Sequence, residues 1–219
     1  DAPCGRILSQ TQVTNGQVTG VRFQGVPSFV AGLNRRVEVP GWNKVTYDVA
    51  YGGAFYAYVD VTRHDFEFDL SPASYRELIH CGMDIKHAVA AADQEIVHPF
   101  EPDLSFLYGT IFTGAPVNSK NDSRNVCVFA DGAVDRSPTG SGVSGRMAIH
   151  HARGETQPGE SWRIESIIDT IFTGAVASVT EFGPYQAVIP EVAGTAHITG
   201  INTFIVNPDD PLRDGFILR

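Results

Sequence analysis

Residues 135–142 read DRSPTGSG, in which a rigid proline leads into a glycine-rich turn. This pattern predicts the start of a helix that runs from near Gly140 to Gly154, a glycine of the type that follows a helix C-terminus. Backbone N–H groups at a helix start lack intrahelical acceptors, so with the helix dipole they favour an anion such as a carboxylate. Asp135 can accept a hydrogen bond from an ammonium or iminium group. The segment therefore predicts a site for an α-amino acid, although a glycine-rich helix start with Asp135 as a cap would look the same.

The flanking sequence predicts a mixed α/β (α+β) protein in which strands outnumber helices. The dipeptide Asn15-Gly16 between alternating apolar residues indicates a tight hairpin. The clearest helix covers residues 71–92, where Ser71 is a candidate N-cap followed by proline and the apolar residues recur on one face. Strand patterns occupy residues 6–49, 52–60, 104–129, 161–179 and 195–206. We expect the long helix to cover or thread a sheet.

Composition excludes several classes of protein. The 219 residues include 25 Asp and Glu against 16 Lys and Arg, a net charge of −9, which argues against nucleic acid or an anionic membrane as partner. Hydrophobic residues at 42% and charged residues at 19% are typical of a folded domain rather than a disordered chain. No apolar run approaches the ~20 residues that span a bilayer. Three cysteines indicate no disulfide framework and favour a reducing compartment, so we expect a cytoplasmic protein.

Two motifs that suggest cofactors occur in unsuitable contexts. Residues 140–145 read GSGVSG and match the dinucleotide fingerprint, but the preceding strand pattern ends near Phe129, about ten residues too early. His80, Asp84 and His87 have a spacing that could hold a metal, yet they lie away from the apolar stripe of their helix. We therefore expect neither a nucleotide cofactor nor a metal.

Motifs along the whole chain resemble those of the proline racemase family. DRSPTGSG resembles the family's D-R-S-P-C-G-T-G, and GGAFYA at 52–57 resembles its G-G-x-F-Y-A. DAPCG at 1–5 looks like the T-P-A-G segment, and further matches are ESII at 165–168, Thr199-Gly200, and DPL at 210–212 before Gly215-Phe216. The resemblance implies a diaminopimelate-epimerase-like fold of two similar lobes, each a mixed sheet wrapped around a central helix, with the substrate between them. Residues 1–219 would form most of the second lobe, and the last strands could return to the first.

One departure from the family motif bears on the reaction. Thr139 stands where the family has its second catalytic cysteine. Racemases and epimerases of the family use two cysteines, one on each face of Cα, and an aliphatic hydroxyl is far too weak an acid to replace a thiol. The branch with threonine here is similar to the trans-3-hydroxy-L-proline dehydratases. The resemblance thus implies a hydro-lyase that removes water to give pyrroline-2-carboxylate without metal or organic cofactor, and a passive Thr139.

The resemblance also implies roles for the other site residues. Asp135 would bind the ring nitrogen of a proline-like imino acid, and the amides of Gly140 and Ser141 would hold its carboxylate and the enolate-like charge that develops. Phe55 and Tyr56 are aromatic residues that suit a proline ring, although core packing is the more usual role of such residues.

A second departure concerns the proton-abstracting residue. The family's first cysteine lies in a C-G-H motif, whereas here Cys81-Gly82 is followed by Met83, Cys4 replaces a small residue and Cys127 lies in a strand pattern. We therefore expect the base to lie outside these residues, in a missing N-terminal lobe, and the isolated chain to be inactive. A homodimer is expected from base rates. The alternatives are a proline racemase or 4-hydroxyproline 2-epimerase, and a non-catalytic module that binds a proline-like amino acid.

Overall fold

The computed structural model describes residues 1–215. Two α-helices, eleven strands and three short 3₁₀ turns make up the regular structure of these residues. The helices are α1 (Tyr75–Ala92) and α2 (Gly140–Ala152). The strands are β1 (Leu8–Thr14), β2 (Gln17–Gln24), β3 (Ser28–Val39), β4 (Asn43–Tyr51), β5 (Phe55–Asp60), β6 (Leu107–Gly114), β7 (Ser123–Phe129), β8 (Ala133–Val134), β9 (Ser161–Glu165), β10 (Ile171–Phe182) and β11 (Tyr185–Gly194).

The strands form a mixed sheet that closes on itself. The pairing order is β1-β2-β11-β10-β9-β7-β6-β5-β4-β3, and β3 also pairs with β11, so that eight of the strands make a ring. The β5–β6 and β7–β9 pairs are parallel and the others are antiparallel. The β1–β2 hairpin extends the sheet beyond β11 and turns at Asn15-Gly16, both with positive φ, as the sequence predicts.

The ring encloses α2. Eight of the 13 residues of this helix are buried, and its apolar side chains pack against side chains from β4, β5, β6, β7, β9, β10 and β11. The helix approaches the strands closely because it is rich in glycine: a methyl group on Gly145 would lie 2.3 Å from the hydroxyl oxygen of Tyr58. The predicted sheet around a central helix is therefore confirmed, and the central helix begins at the 135–142 segment.

Helix α1 covers the outer face of the sheet. Its buried residues Leu78, Cys81, Ile85 and Val89 pack in the largest core cluster with those side chains of β3 to β7 that point away from α2. The predicted helix over residues 71–92 is confirmed, but its first turn is a 3₁₀ turn in which the hydroxyl of Ser71 accepts a 3.3 Å hydrogen bond from the Ala73 amide.

The predicted strand at residues 195–206 is wrong. This segment has no regular secondary structure, and its apolar side chains are exposed, with Ile201 at 95% and Phe204 at 89% of full exposure. Within the described residues the segment pairs with no strand, and the adjoining β11 is already paired with β10, β2 and β3. Of the motif that ends Gly215-Phe216, Phe216 lies outside the described residues. No helix within residues 1–215 is long and apolar enough to cross a membrane.

Candidate active site

The loop before α2 is organised around the carboxylate of Asp135. One oxygen, Oδ1, accepts a 2.8 Å hydrogen bond from the amide of Ser137, and the other, Oδ2, accepts a 2.8 Å hydrogen bond from the hydroxyl of Thr139. The Thr139 amide in turn donates to the hydroxyl of Ser137 at 3.0 Å. Asp135 is half-buried, and each of its oxygens keeps a second lone pair that can accept from a ligand.

Thr139 is the N-cap of α2 and has an unusual backbone conformation. Its φ of 69° and ψ of 111° are rare for a β-branched residue, and its carbonyl accepts the first helical hydrogen bond, from Val143, at 2.7 Å. Among the residues that the structure describes, the amides of Gly140, Ser141 and Gly142 have no acceptor. Three N–H groups at the positive end of a 13-residue helix thus form a suitable site for a carboxylate.

Two tyrosines of β5 hold the first turn of α2. The hydroxyl of Tyr56 lies 2.9 Å from the hydroxyl of Ser141, and the hydroxyl of Tyr58 donates to the carbonyl of Gly142 at 2.9 Å. Burial raises the pKa of both phenols far above the usual value of 10. Both tyrosines are therefore neutral hydrogen-bonding groups.

A cavity of about 350 Å³ opens beside this turn. Its wall is mostly apolar and suits the ring of a small imino acid, while Ser141 and the glycine pair 52–53 provide the edge nearest to the helix. The apolar and thiol part of the wall includes Cys4, Phe23, Val26, Tyr56, Leu104, Phe106 and Tyr108.

The structure brings together five of the six residues that the sequence nominates. Asp135, Thr139, Gly140 and Ser141 share the loop and first turn, and Tyr56 contacts Ser141. Phe55 needs correction: it lies on the opposite face of β5 and is fully buried in the core between Phe29 and Tyr51. Successive residues of a strand point to opposite faces, so Phe55 and Tyr56 cannot both line the cavity.

Sequence analysis missed Tyr58 and Asn125. Tyr58 shares the face of Tyr56, so the alternation of β5 was a usable signal. Asn125 is fully buried in β7 and donates from Nδ2 to the carbonyl of Pro138 at 3.3 Å. This hydrogen bond connects the loop to β7. Nothing in the sequence near Asn125 connects it with a loop 13 residues away.

Two of the three cysteines are unsuited to acid–base chemistry. Burial raises the pKa of Cys81 to about 12, with a contribution from Asp84. Burial also raises the pKa of Cys127 to about 12; Asp135 adds to this effect and a hydrogen bond with Thr139 opposes it. Cys4 is half-buried and lies at the cavity, where a methyl group on Gly53 would be 3.3 Å from its sulfur.

The fold and the site together indicate the class of protein. The fold is a ring of strands around a glycine-rich helix, and the site has an aspartate and backbone amides without acceptors at the start of that helix. Residues 1–217 match the family model described as "Proline racemase", and the chain belongs to this family.

Among its relatives, the chain is 46% identical over 219 residues to a trans-3-hydroxy-L-proline dehydratase of Colwellia psychrerythraea, covering all of this chain and 61% of the relative. It is 43% identical over 219 residues to a 3-hydroxyproline 2-epimerase of Burkholderia multivorans, covering all of this chain and 64% of the relative. A solved hydroxyproline epimerase of Agrobacterium vitis with bound trans-4-hydroxy-L-proline superposes with a TM-score of 0.86 at 33% identity, over 98% of this chain and 60% of that one. The chain thus spans less than two thirds of the length of these proteins.

Proposed function

We propose that this chain is part of a hydro-lyase that removes water from trans-3-hydroxy-L-proline to give pyrroline-2-carboxylate. The observation that carries the proposal is Thr139: it occupies the position of an acid–base cysteine in the family motif, and its hydroxyl proton is directed at Asp135. The face of the substrate next to Thr139 therefore meets no group that can take or return a proton. A reaction that needs acid–base chemistry on one face only suits this arrangement.

Dehydration of the trans-3-hydroxy isomer is such a reaction. Its hydroxyl is trans to the carboxylate and therefore lies on the same ring face as the Cα hydrogen. A single thiolate on that face removes the Cα proton, and the resulting thiol then protonates the departing C3 hydroxyl. The products are one water and an enamine that tautomerises to the pyrroline, so the thiolate is regenerated and no oxidant, metal or organic cofactor is consumed.

In this scheme, residues of the loop before α2 and of its first turn bind and polarise the substrate. The carboxylate of Asp135 accepts from the ring ammonium, because each of its oxygens retains a free lone pair beside the bonds from Ser137 and Thr139. The amides of Gly140 and Ser141 bind the substrate carboxylate. When Cα loses its proton, negative charge moves into that carboxylate, where the two amides and the helix dipole stabilise it.

The proton-abstracting thiol is proposed to come from sequence outside these 219 residues. Cys81 and Cys127 are buried thiols with pKa values of about 12, which makes them poor bases at neutral pH. The longer relatives are consistent with a further lobe that carries the base. We expect the 219-residue chain alone to lack turnover.

We also propose that the enzyme works in the cytoplasm as a homodimer. The three cysteines are free in the structure, which suits a reducing compartment, and two-fold dimers are the most frequent assembly of soluble proteins.

An activity assay on the full-length protein tests this function. The protein is incubated with trans-3-hydroxy-L-proline while the pyrroline product is followed, and with L-proline and trans-4-hydroxy-L-proline while optical rotation is followed. We expect product from the 3-hydroxy substrate and constant rotation with the other two. An Asp135→Asn variant is the matched control, because it keeps the shape of the side chain and removes the charge that binds the ammonium.

A 3-hydroxyproline 2-epimerase is the second candidate, because one relative at 43% identity carries that name. Epimerisation needs a proton donor on the second face, and Thr139 argues against it. With trans-3-hydroxy-L-proline as substrate, a change of optical rotation without pyrroline formation would favour this candidate over the dehydratase.

A further inference from the structure

Asn125 connects the central helix to the loop of the candidate active site. Its side chain is fully buried in β7 beneath residues 135–139. Its amide nitrogen donates to the carbonyl of Pro138 at 3.3 Å, and its amide oxygen accepts from Nη1 of Arg146 at 2.6 Å. Arg146 belongs to α2, the helix that this same loop begins. The three residues thus close a link from the middle of the helix back to its start.

The orientation of the Asn125 amide is determined by its partners. A guanidinium has donors only, so the oxygen of Asn125 must face Arg146, and the NH₂ group must then face the carbonyl of Pro138. Burial lowers the pKa of Arg146 to about 10, so its side chain remains a cation at neutral pH and keeps this orientation. A fully buried amide whose two ends are both in use has little freedom to turn.

The link affects the candidate site because of where Pro138 lies in the chain. Pro138 immediately precedes Thr139, whose strained φ of 69° sets the direction of the amides that follow. The hydroxyl of Thr139 in turn holds Asp135. A shift of the Pro138 carbonyl would therefore change the distance between the carboxylate of Asp135 and the amides of Gly140 and Ser141.

We propose that Asn125 and Arg146 are positioning residues that hold the Pro138 carbonyl and thereby set the separation of the two binding groups of the site. The effect on catalysis rests on the proposed function, whereas the effect on the loop does not. Neither side chain needs to touch the substrate.

Three variants and one control test the link in the product of the complete gene. Asn125→Asp is isosteric and keeps an acceptor for Arg146, but it places an oxygen against the Pro138 carbonyl. Asn125→Leu and Arg146→Met remove the link from either end. Arg153→Met is the control: it deletes a cation just after α2 that pairs with Asp48 and not with the loop.

Hydrogen exchange of the loop is the readout that does not depend on turnover. The amides of Ser137 and Thr139 are hydrogen-bonded within the loop and report its order. We expect them to exchange about three- to tenfold faster in Asn125→Asp and Arg146→Met, the net contribution of one hydrogen bond, and to be unchanged in Arg153→Met. Equal exchange in Asn125→Asp and the unaltered protein would overturn the proposal.

Measurements of KM and kcat distinguish a positioning role from a mere loss of folded protein. We expect a rise in KM for trans-3-hydroxy-L-proline in Asn125→Asp, and a double variant with Arg146→Met no worse than the poorer single variant. Reduced kcat with unchanged KM would indicate only less folded enzyme and would also overturn the proposal. If the unaltered protein does not act on the substrate, the proposed function fails while the exchange result still decides the link.

Discussion

The hydroxyl of Thr139 donates to Oδ2 of Asp135 at 2.8 Å, and this bond joins the two residues on which the proposed chemistry depends. A threonine in place of a catalytic cysteine is therefore more than a filler of space. It orients the carboxylate that would bind the substrate nitrogen, and its own proton is engaged in that bond. The passive role that the sequence predicts for Thr139 in acid–base chemistry stays a prediction, with an orienting role added to it.

Removal of the Thr139 hydroxyl should weaken substrate binding. Thr139→Val keeps the shape and loses the bond to Asp135, and we expect about a ten- to hundredfold higher Kd for trans-3-hydroxy-L-proline in calorimetric titration, since hydrogen bonds to charged groups contribute ~1.5–3 kcal/mol. Thr139→Ser keeps the hydroxyl and should bind within about threefold of the unaltered protein. Weakening by serine but not by valine would show that the methyl group, and not the hydroxyl, matters.

Glu165 should control stability in strong acid. Its buried carboxylate accepts from Asn121, from the amides of Val117 and Asn118 and from Arg124. Burial alone would raise the pKa of Glu165, but these hydrogen bonds prevail and lower it from 4.5 to about 2. Because the folded protein holds this proton less tightly than the unfolded chain, the stabilisation is complete above pH 4.5 and is lost as the pH falls toward 2.

The matching variant is Glu165→Gln, which leaves Arg124 without its buried partner. We expect a loss of about 3–5 kcal/mol in the free energy of unfolding at pH 7 and a flatter pH dependence below 4.5. Denaturant unfolding at a series of pH values measures both. The same slope in the variant and the unaltered protein would contradict the assignment.

His150 should give a separate pH dependence under milder conditions. Burial and the nearby Arg146 lower the pKa of His150 from 6.5 to about 4, against the opposing effect of Glu155. The unfolded chain binds the proton more readily in this range, so stability is complete above pH 6.5 and declines as the pH falls toward 4. His150→Gln should make the free energy of unfolding depend less steeply on pH between 6.5 and 4. The slope that remains should come partly from His98, whose pKa burial also lowers.

Gly145→Ala should weaken the packing of the central helix α2 against β5. The added methyl group would lie 2.3 Å from the hydroxyl oxygen of Tyr58, and the resulting overpacking should cost about 1–3 kcal/mol of unfolding free energy. Gly20→Ala is the control, since its nearest neighbour would be the side-chain oxygen of Gln12 at 3.5 Å. Thermal unfolding of both variants checks this, and similar midpoints would refute the tight contact.

Thiol labelling should distinguish Cys4 from the other cysteines. Cys81 and Cys127 are buried, with pKa values of about 12, whereas Cys4 is half-buried at the cavity. We expect one thiol to react quickly with an aromatic disulfide reagent at pH 8, and Cys4→Ala to abolish that phase. Trans-3-hydroxy-L-proline should slow the labelling if it fills the cavity. Rapid reaction of all three thiols would mean that the core opens.

Local chemistry explains what could be predicted. The Asn15-Gly16 turn, the apolar stripe of α1 and the proline–glycine start of α2 depend on neighbours within a few residues, and all three are found where the sequence indicates them. The family motif at 135–142 identified the loop and the first turn of the candidate site for the same reason. The strand predicted at 195–206 does not form among the described residues: a strand also needs a partner strand, and sequence periodicity does not report which partner is within reach.

The sequence by itself determined the family, the local elements and the residues of the 135–142 segment, since each is encoded in a short run of residues. Tertiary structure decided which distant groups meet that segment: Tyr56 rather than Phe55 from β5, and the Arg146–Asn125 link beneath Pro138. There are two physical reasons. Strand register assigns each side chain to one face of the sheet. Each buried polar group needs a hydrogen-bond partner, and that partner can come from a distant part of the chain. Those partners are separated along the chain by 85 residues for Tyr56 and Ser141 and by 21 for Asn125 and Arg146.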